Sequence, residues 1–398
     1  MKKHNIIASL LMGMALLTAC ESDRNDNPTI DLSKQQAPII LNSPTFASST
    51  YDLDNTESIM LYCTQPDYGF PATVTYVVQT SINADMSDPI ELATTYSINK
   101  MEVKGNDLAI ATTKQLMTKQ GKKQEQFPVE TPLYIRIRAY IANVNGSEAL
   151  SNIVKLNNIK TKFALPNVEV PEAFYICGNF NGNKWEDAVP TAAVNGAPEC
   201  HWRIVWIDAD GVKVSPTNGA PNYADDMIDV SYSCKTSGFT VSEDGVAKAT
   251  TPGWYVLFIE GKVDNDKRTM HLDYSFYQPE LWLIGPSLIN SELGITEDNC
   301  WNESELRNDF EQYVKISTPT TMDGEFVSPE LLSTTTDDKG GSRAYVKIKN
   351  YEWWKTEFFV YDKKIVYRGN GGEVKPYTCG NPGQKVYFNF SKDTGELK

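Results

Sequence analysis

The run Leu133-Tyr134-Ile135-Arg136-Ile137-Arg138-Ala139-Tyr140 alternates sides strictly, and Val74-Thr75-Tyr76-Val77-Val78-Gln79-Thr80 carries the same β-branched and aromatic residues. Successive side chains of a strand leave on opposite faces, so both runs predict strands. Asp85-Met86-Ser87-Asp88-Pro89 and Asn145-Gly146-Ser147 supply turns between them. Several such strands between Ile39 and Leu156 predict an immunoglobulin-like or fibronectin-like sandwich at 38–165. Thr112 to Lys123 interrupts the β pattern and reads as a short helix or a polar loop. No acid, base and nucleophile cluster in this block, which reads as a spacer.

Beyond Pro166 and Pro171 a unit appears twice. Phe174-Tyr175-Ile176-Cys177-Gly178 and Leu281-Trp282-Leu283-Ile284-Gly285 are the same aromatic-apolar-glycine opening, and Gly253 to Phe258 and Gly383 to Phe388 stand near the ends of the two units. Two tandem, divergent β modules are expected, at 166–278 and 279–398, which makes the whole chain all-β.

At the other end, Lys2 and Lys3, an apolar run from Ile6 to Leu17 and the small residues before Cys20 form a secretory signal peptide at 1–19. Its apolar run is too short to span a bilayer, which takes about 20 residues. Leu17-Thr18-Ala19-Cys20 resembles a bacterial lipobox, which implies lipidation of Cys20 and a mature chain of 398 − 19 = 379 residues. The polar stretch 20–37, with Asp23, Asn25, Asp26, Asn27 and Pro28, reads as a lipidated flexible tether. The acidic residues behind the cysteine resemble the surface-export signal of lipoproteins from Bacteroidetes-type bacteria.

Formal charge is −14; without Lys2 and Lys3 it is 35 − 51 = −16, a field that repels a phosphate backbone and argues against nucleic acid as a partner. Besides Cys20 there are Cys63, Cys177, Cys200, Cys234, Cys300 and Cys379, whose spacings form no CxxC or other zinc pattern. They read as mostly free, buried thiols. Asp264-Asn265-Asp266 begins like a calcium loop, but Thr269 stands where glycine is required and Ser275 where the bidentate glutamate is required, which leaves a hairpin turn. With no GxxxxGK[ST] or GxGxxG cradle either, no cofactor and no metal are expected.

The densest functional signal is Arg343, then Tyr351-Glu352-Trp353-Trp354-Lys355, then Tyr367-Arg368-Gly369. Adjacent indoles on a strand point to opposite faces, so one of Trp353 and Trp354 fills the core and the other faces solvent. An exposed tryptophan forgoes burial unless a ligand covers it. A sugar is a natural cover, its C–H face on the ring and its hydroxyls on Arg343, Lys355 and Arg368. Two structural tryptophans with solvated cations around them fit the same spacing. The earlier module offers an echo in His201-Trp202-Arg203-Ile204-Val205-Trp206, where Trp202 and Trp206 share a face. A candidate site there joins Trp202 to Lys213, with Tyr232 or Lys235 from the next strand, while core packing is the competing fate of each ring.

The lipobox with its acidic follow-on, Gln65-Pro66-Asp67-Tyr68-Gly69-Phe70-Pro71 leading into the Val74 strand, the repeated openings and the Trp353 to Gly369 block together resemble the SusE/SusF family of starch-binding outer-membrane lipoproteins. The resemblance implies an immunoglobulin-like domain followed by two tandem β-sandwich carbohydrate-binding modules, shown on the cell surface beside a TonB-dependent transporter and a companion glycan-binding lipoprotein. It implies no catalysis, with aromatic rings cradling glucose units of starch and maltooligosaccharides and basic residues bonding their hydroxyls. Trp353 or Trp354, Arg343 and Arg368 take those roles here.

Two other classes fit the residues. One is a structural surface adhesin whose tryptophans are all core. The other is a glycoside hydrolase, which needs only two carboxylates; a Ser-His-Asp or Cys-His apparatus would have to use His201 or His271, since His4 leaves with the signal.

Overall fold

In the computed structural model, which describes residues 38–398 apart from 69–71, 222, 224–226 and 349, the chain separates after Pro166 into two units. The signal peptide, Cys20, the tether and the end of the Gln65 to Pro71 motif lie outside the described residues.

In the first unit, Thr50–Asp52, Val154–Thr161, Val129–Tyr140, Thr75–Ser81 and Ile90–Tyr96 lie side by side in that order, and Ser58–Tyr62 pairs with Lys100–Lys104 in a second, two-stranded sheet. The alternation of the central strand sorts its side chains as period two demands. Leu133, Ile135, Ile137 and Ala139 are wholly buried. On the opposite face Arg138 makes a fork to Glu91 at 2.6 and 2.8 Å. The interrupted stretch is helical as far as Gln120, in the helix Gly105–Gln120, and 121–123 lie beyond its end. Thr112, Thr113 and Gln115 of this stretch face inward: Gln115 accepts from the Ile82 amide at 3.0 Å and donates to the Thr80 and Asp88 carbonyls at 3.2 Å. Those bonds satisfy loop backbone that burial would leave unpaired, which is why the stretch lacks an apolar stripe.

Among the described residues, the second unit contains three sheets. The first module supplies two of five strands each: an outer one, Val189–Pro190, Tyr175–Gly178, Val212–Ser215, Ala247–Ala249 and Phe239–Val241, and an inner one, Ala192–Val194, Ala197–Ile207, Gly253–Asp264, Thr269–Tyr277 and Asp229–Cys234. The second module supplies a seven-stranded sheet running Leu281–Ile284, Arg343–Val346, Glu357–Tyr361, Lys364–Tyr367, Thr394–Leu397, Val386–Asn389, Phe326–Val327. Both faces of the inner sheet are buried. Val205, Ile207, Leu257 and Ile259 join the outer sheet's Ile176, Val212 and Val214 in one core. Trp202, Ile204, Trp254, Val256 and Phe258 join the second module's Phe326, Tyr345, Phe358 and Phe388 in another. The two modules expected as successive units are therefore layered on a shared core.

Asp264-Asn265-Asp266 opens the hairpin between paired Asp264 and Thr269, and Asp264 Oδ1 accepts the Lys267 amide at 3.1 Å. All six described cysteines are free; Cys63, Cys177, Cys200 and Cys300 are buried, Cys234 is half-buried and Cys379 exposed. Burial pushes the Cys63 and Cys300 thiols up to about 11, which keeps them protonated and inert.

Candidate functional site

Trp353 and Trp354 do not lie on a strand. Trp353–Thr356 is a single 3₁₀ turn between the strands Arg343–Val346 and Glu357–Tyr361. The turn is fixed by two side-chain bonds: the Trp353 amide donates to Glu303 Oε2 at 3.0 Å, and Thr356 Oγ1 donates to the Val346 carbonyl at 2.6 Å. Consecutive residues of such a turn are about 120° apart, not 180°. The expectation of one core and one exposed indole is corrected accordingly: both rings are half-buried.

Trp353 rests on the core and stacks on Trp301, centroids 5.4 Å apart and planes 23° from parallel. Trp354 lies under two cations, Lys355 Nζ 5.3 Å and the Arg368 guanidinium 5.3 Å from its centroid. Trp301, Glu303, Lys347, Tyr351, Trp353 and Trp354 border a cleft of about 570 Å³. A larger groove, about 640 Å³ along Asn308 to Thr318, has no aromatic ring in its lining. The chemistry of sugar recognition points to the former.

Trp301 was not singled out in the sequence, although two signals point to it. Asn302 and Glu305 have the spacing of a helix start, and Asn302 caps Glu303–Asp309 by accepting the Glu305 amide at 3.3 Å. The repeated glycine is the second signal. Gly285 has φ +97°, and a Cβ there would stand 2.8 Å from the Trp301 ring, so glycine at the end of the opening strand makes the seat for that indole.

Arg343 lies behind the rings, not among them. It is 6% exposed, its guanidinium 5.0 Å from the Trp301 centroid and 3.9 Å from that of Tyr377. Nε donates to the Gly340 carbonyl at 2.8 Å, and Nη1 pairs with Glu357 at 3.1 Å. These bonds correct its expected role from open donor fork to support for Trp301. Arg368 pairs with Glu357 at 3.0 Å and Lys355 with Glu352 at 3.2 Å, both half-buried at the cradle's edge. Burial pushes the Glu357 carboxyl up, against the pull of Arg343 and Arg368.

The residues expected to form the earlier site are not brought together. Trp202 and Trp206 share a face as expected, but that face packs on the second module. Trp202 is 1% exposed, 5.6 Å from Tyr367 and 6.1 Å from Phe358, so no sugar reaches it. Lys213 is exposed on the outer sheet, and Tyr232 is on the inner one, half-buried and edge-on to Tyr274 at 5.9 Å. The register offers a different correspondence. Lys213 pairs with Cys177 of the first opening strand as Arg343 pairs with Ile284 of the second, and Trp185 follows the first opening as Trp301 follows the second.

Comparison with known proteins gives matches at both ends of the chain. Residues 24–138 match the family described as SusE outer membrane protein, and residues 302–396 match the family described as SusF/SusE starch specific CBMs. Outer membrane protein SusF of Bacteroides thetaiotaomicron is 30% identical over 249 residues, covering 60% of this chain and 45% of that protein, so the match spans less than half of the relative's length. The crystal structure of SusF from the same organism superposes at a TM-score of 0.40 with 18% identity, covering 91% of this chain and 100% of that one.

Proposed function

The chain belongs to the SusE/SusF family, and from that premise we propose that it binds starch and maltooligosaccharides without catalysis at the bacterial outer membrane. The observation that carries this reading is the group of three half-buried indoles, Trp301 stacked on Trp353 with Trp354 beside them, bordered by Lys355 and Arg368. Aromatic faces receive the C–H faces of successive glucose units, and cationic donors meet their hydroxyls. Rings set along a turn instead of a flat sheet face suit the curved edge of an α-glucan.

The carboxylates of the site favour binding over hydrolysis. Glu303 is tied to the Trp353 amide, Lys347 and Arg307, and Glu357 is 2% exposed between two arginines. A hydrolase needs two carboxyl groups facing one glycosidic bond.

A second, weaker contact is proposed at Trp185 and Lys213, since Lys213 occupies the register of Arg343. Two contacts on one chain anchored through Cys20 raise avidity for a polymer. A TonB-dependent transporter and companion glycan-binding lipoproteins are the partners proposed for a surface protein that holds polymer for uptake.

Calorimetric titration with maltoheptaose and with a cellulose oligomer tests the reading. Saturable heat with the first and none with the second is expected, with no reducing ends released. Silence towards both glucans sends the weight to a structural adhesin.

A further inference from the structure

Glu357 directly follows the Trp353–Thr356 turn and is 2% exposed. Its Oε1 lies 3.1 Å from Arg343 Nη1 and its Oε2 3.0 Å from Arg368 Nη1. Each guanidinium covers a ring, Arg343 that of Trp301 at 5.0 Å and Arg368 that of Trp354 at 5.3 Å. Trp353 is in turn stacked on Trp301. One buried carboxylate thus stands between the cations on both sides of the cradle. Among the described residues, Arg368 forms its ion pair with Glu357, and the other carboxylate near Arg343 is Glu373, about half exposed at 3.7 Å. Without the Glu357 charge, buried Arg343 would keep only the distant, solvated Glu373 and half-buried Arg368 would lose its ion pair, and both cations would move away from each other or towards water.

Resting on the α-glucan reading above, we propose that Glu357 is the positioning residue of that site, its charge holding Arg343 and Arg368, and through them Trp301 and Trp354, in the geometry that binds glucan. Glu357 touches no sugar in this arrangement. Its effect reaches the ligand through the rings, as a supporting shell acts on a site.

A pH dependence follows. Burial pushes the Glu357 carboxyl above the ordinary glutamate range although Arg343 and Arg368 pull it down, so it takes up a proton before a solvated glutamate does. The other groups facing it are the Arg343 and Arg368 guanidiniums, the half-solvated Glu373, and the Tyr377 phenol, which is pushed up to about 12 and stays neutral. Protonated Glu357 is the chemical equivalent of glutamine, and affinity falls with acidification as the brace is lost.

The test uses the full chain as wild type, Glu357→Gln and Glu373→Gln, titrated with maltoheptaose at pH 7.5 and pH 5, with near-ultraviolet circular dichroism and melting temperature recorded for each. Loss of the charge-assisted hydrogen bond from Arg368 and of the ion pair with Arg343 predicts at least about tenfold weaker binding by Glu357→Gln at pH 7.5. Wild type and Glu373→Gln should lose affinity at pH 5 while Glu357→Gln stays flat, and the tryptophan signal of Glu357→Gln should change. Wild-type affinity and pH profile in a folded Glu357→Gln overturn the proposal. If Glu357→Gln does not fold, the profiles of wild type and Glu373→Gln decide, a flat wild-type profile overturning it. If wild type binds no maltoheptaose, the glucan reading fails by itself, and the circular dichroism of Glu357→Gln, unchanged or altered, still refutes or supports the brace.

Discussion

Trp202 with Arg203, and Trp354 with Arg368, are the same two residue types with opposite fates. Trp202 is 1% exposed beneath the second module, and Arg203, wholly buried, lies 4.9 Å over Tyr367 and pairs with Asp393 at 2.7 Å. Trp354, on the 3₁₀ turn, and Arg368, just past the strand Lys364–Tyr367, remain half-buried. The difference comes from what covers the element. The strand Ala197–Ile207 is sandwiched between two layers, so both of its faces are core. The Trp353–Thr356 turn joins two strands of the second module instead of lying between two layers, and its two rings stay half-buried, open on one side to a ligand. An aromatic beside a cation therefore marks a binding site only where the fold leaves a side uncovered.

The largest break in this comparison comes from Trp202→Ala. Removing a fully buried indole should cost about 4 kcal/mol of stability, read as a fall in the urea midpoint. Maltoheptaose binding by the molecules that remain folded should persist. Loss of binding with full stability would place the site on the wrong module.

His201, on the same strand, sharpens the contrast through pH. It is wholly buried, edge-on to Phe174 at 5.1 Å, and burial pushes its imidazole down to about 4. The unfolded chain takes up a proton near pH 6.5, whereas the folded one does so only near pH 4. The stabilisation is full above pH 6.5 and is lost as pH falls towards 4, by roughly 3 kcal/mol in all. Comparing the acid-induced drop in melting temperature of wild type with that of His201→Gln isolates this contribution; equal drops would refute it.

Trp301→Ala should show the reverse pattern to Trp202→Ala. Removing half of the stacked pair should weaken maltoheptaose binding by about 2 kcal/mol, a near thirtyfold rise in Kd by calorimetry, with a smaller change in melting temperature. The smallest effect is expected from Lys213→Ala. Stability should stay within about 0.5 kcal/mol and maltoheptaose affinity within twofold, while retention on insoluble starch falls as one contact of a pair is lost.

The strands were legible because period two survives in Leu133 to Tyr140 whatever lies around it. The proximity of Trp354 to Lys355 and Arg368 was legible as well. Their local geometry was not, since one of the bonds that fix the Trp353–Thr356 turn comes from Glu303, 50 positions earlier. Arg343 looked like an open donor because nothing near it in sequence announces Glu357, Gly340 and Tyr377 as its enclosure. Trp202 kept its predicted parity, yet parity names a face without saying what packs on it. The layering of the two modules decides that, and it depends on contacts between residues such as Trp202 and Phe358, far apart along the chain.

The most direct measurement is calorimetric titration of Trp354→Ala with maltoheptaose beside wild type. A folded variant whose affinity falls at least about tenfold places the site on the turn that Trp354 shares with Trp353. Unchanged affinity in that variant, with wild type binding, would contradict the account and move the site elsewhere on the chain.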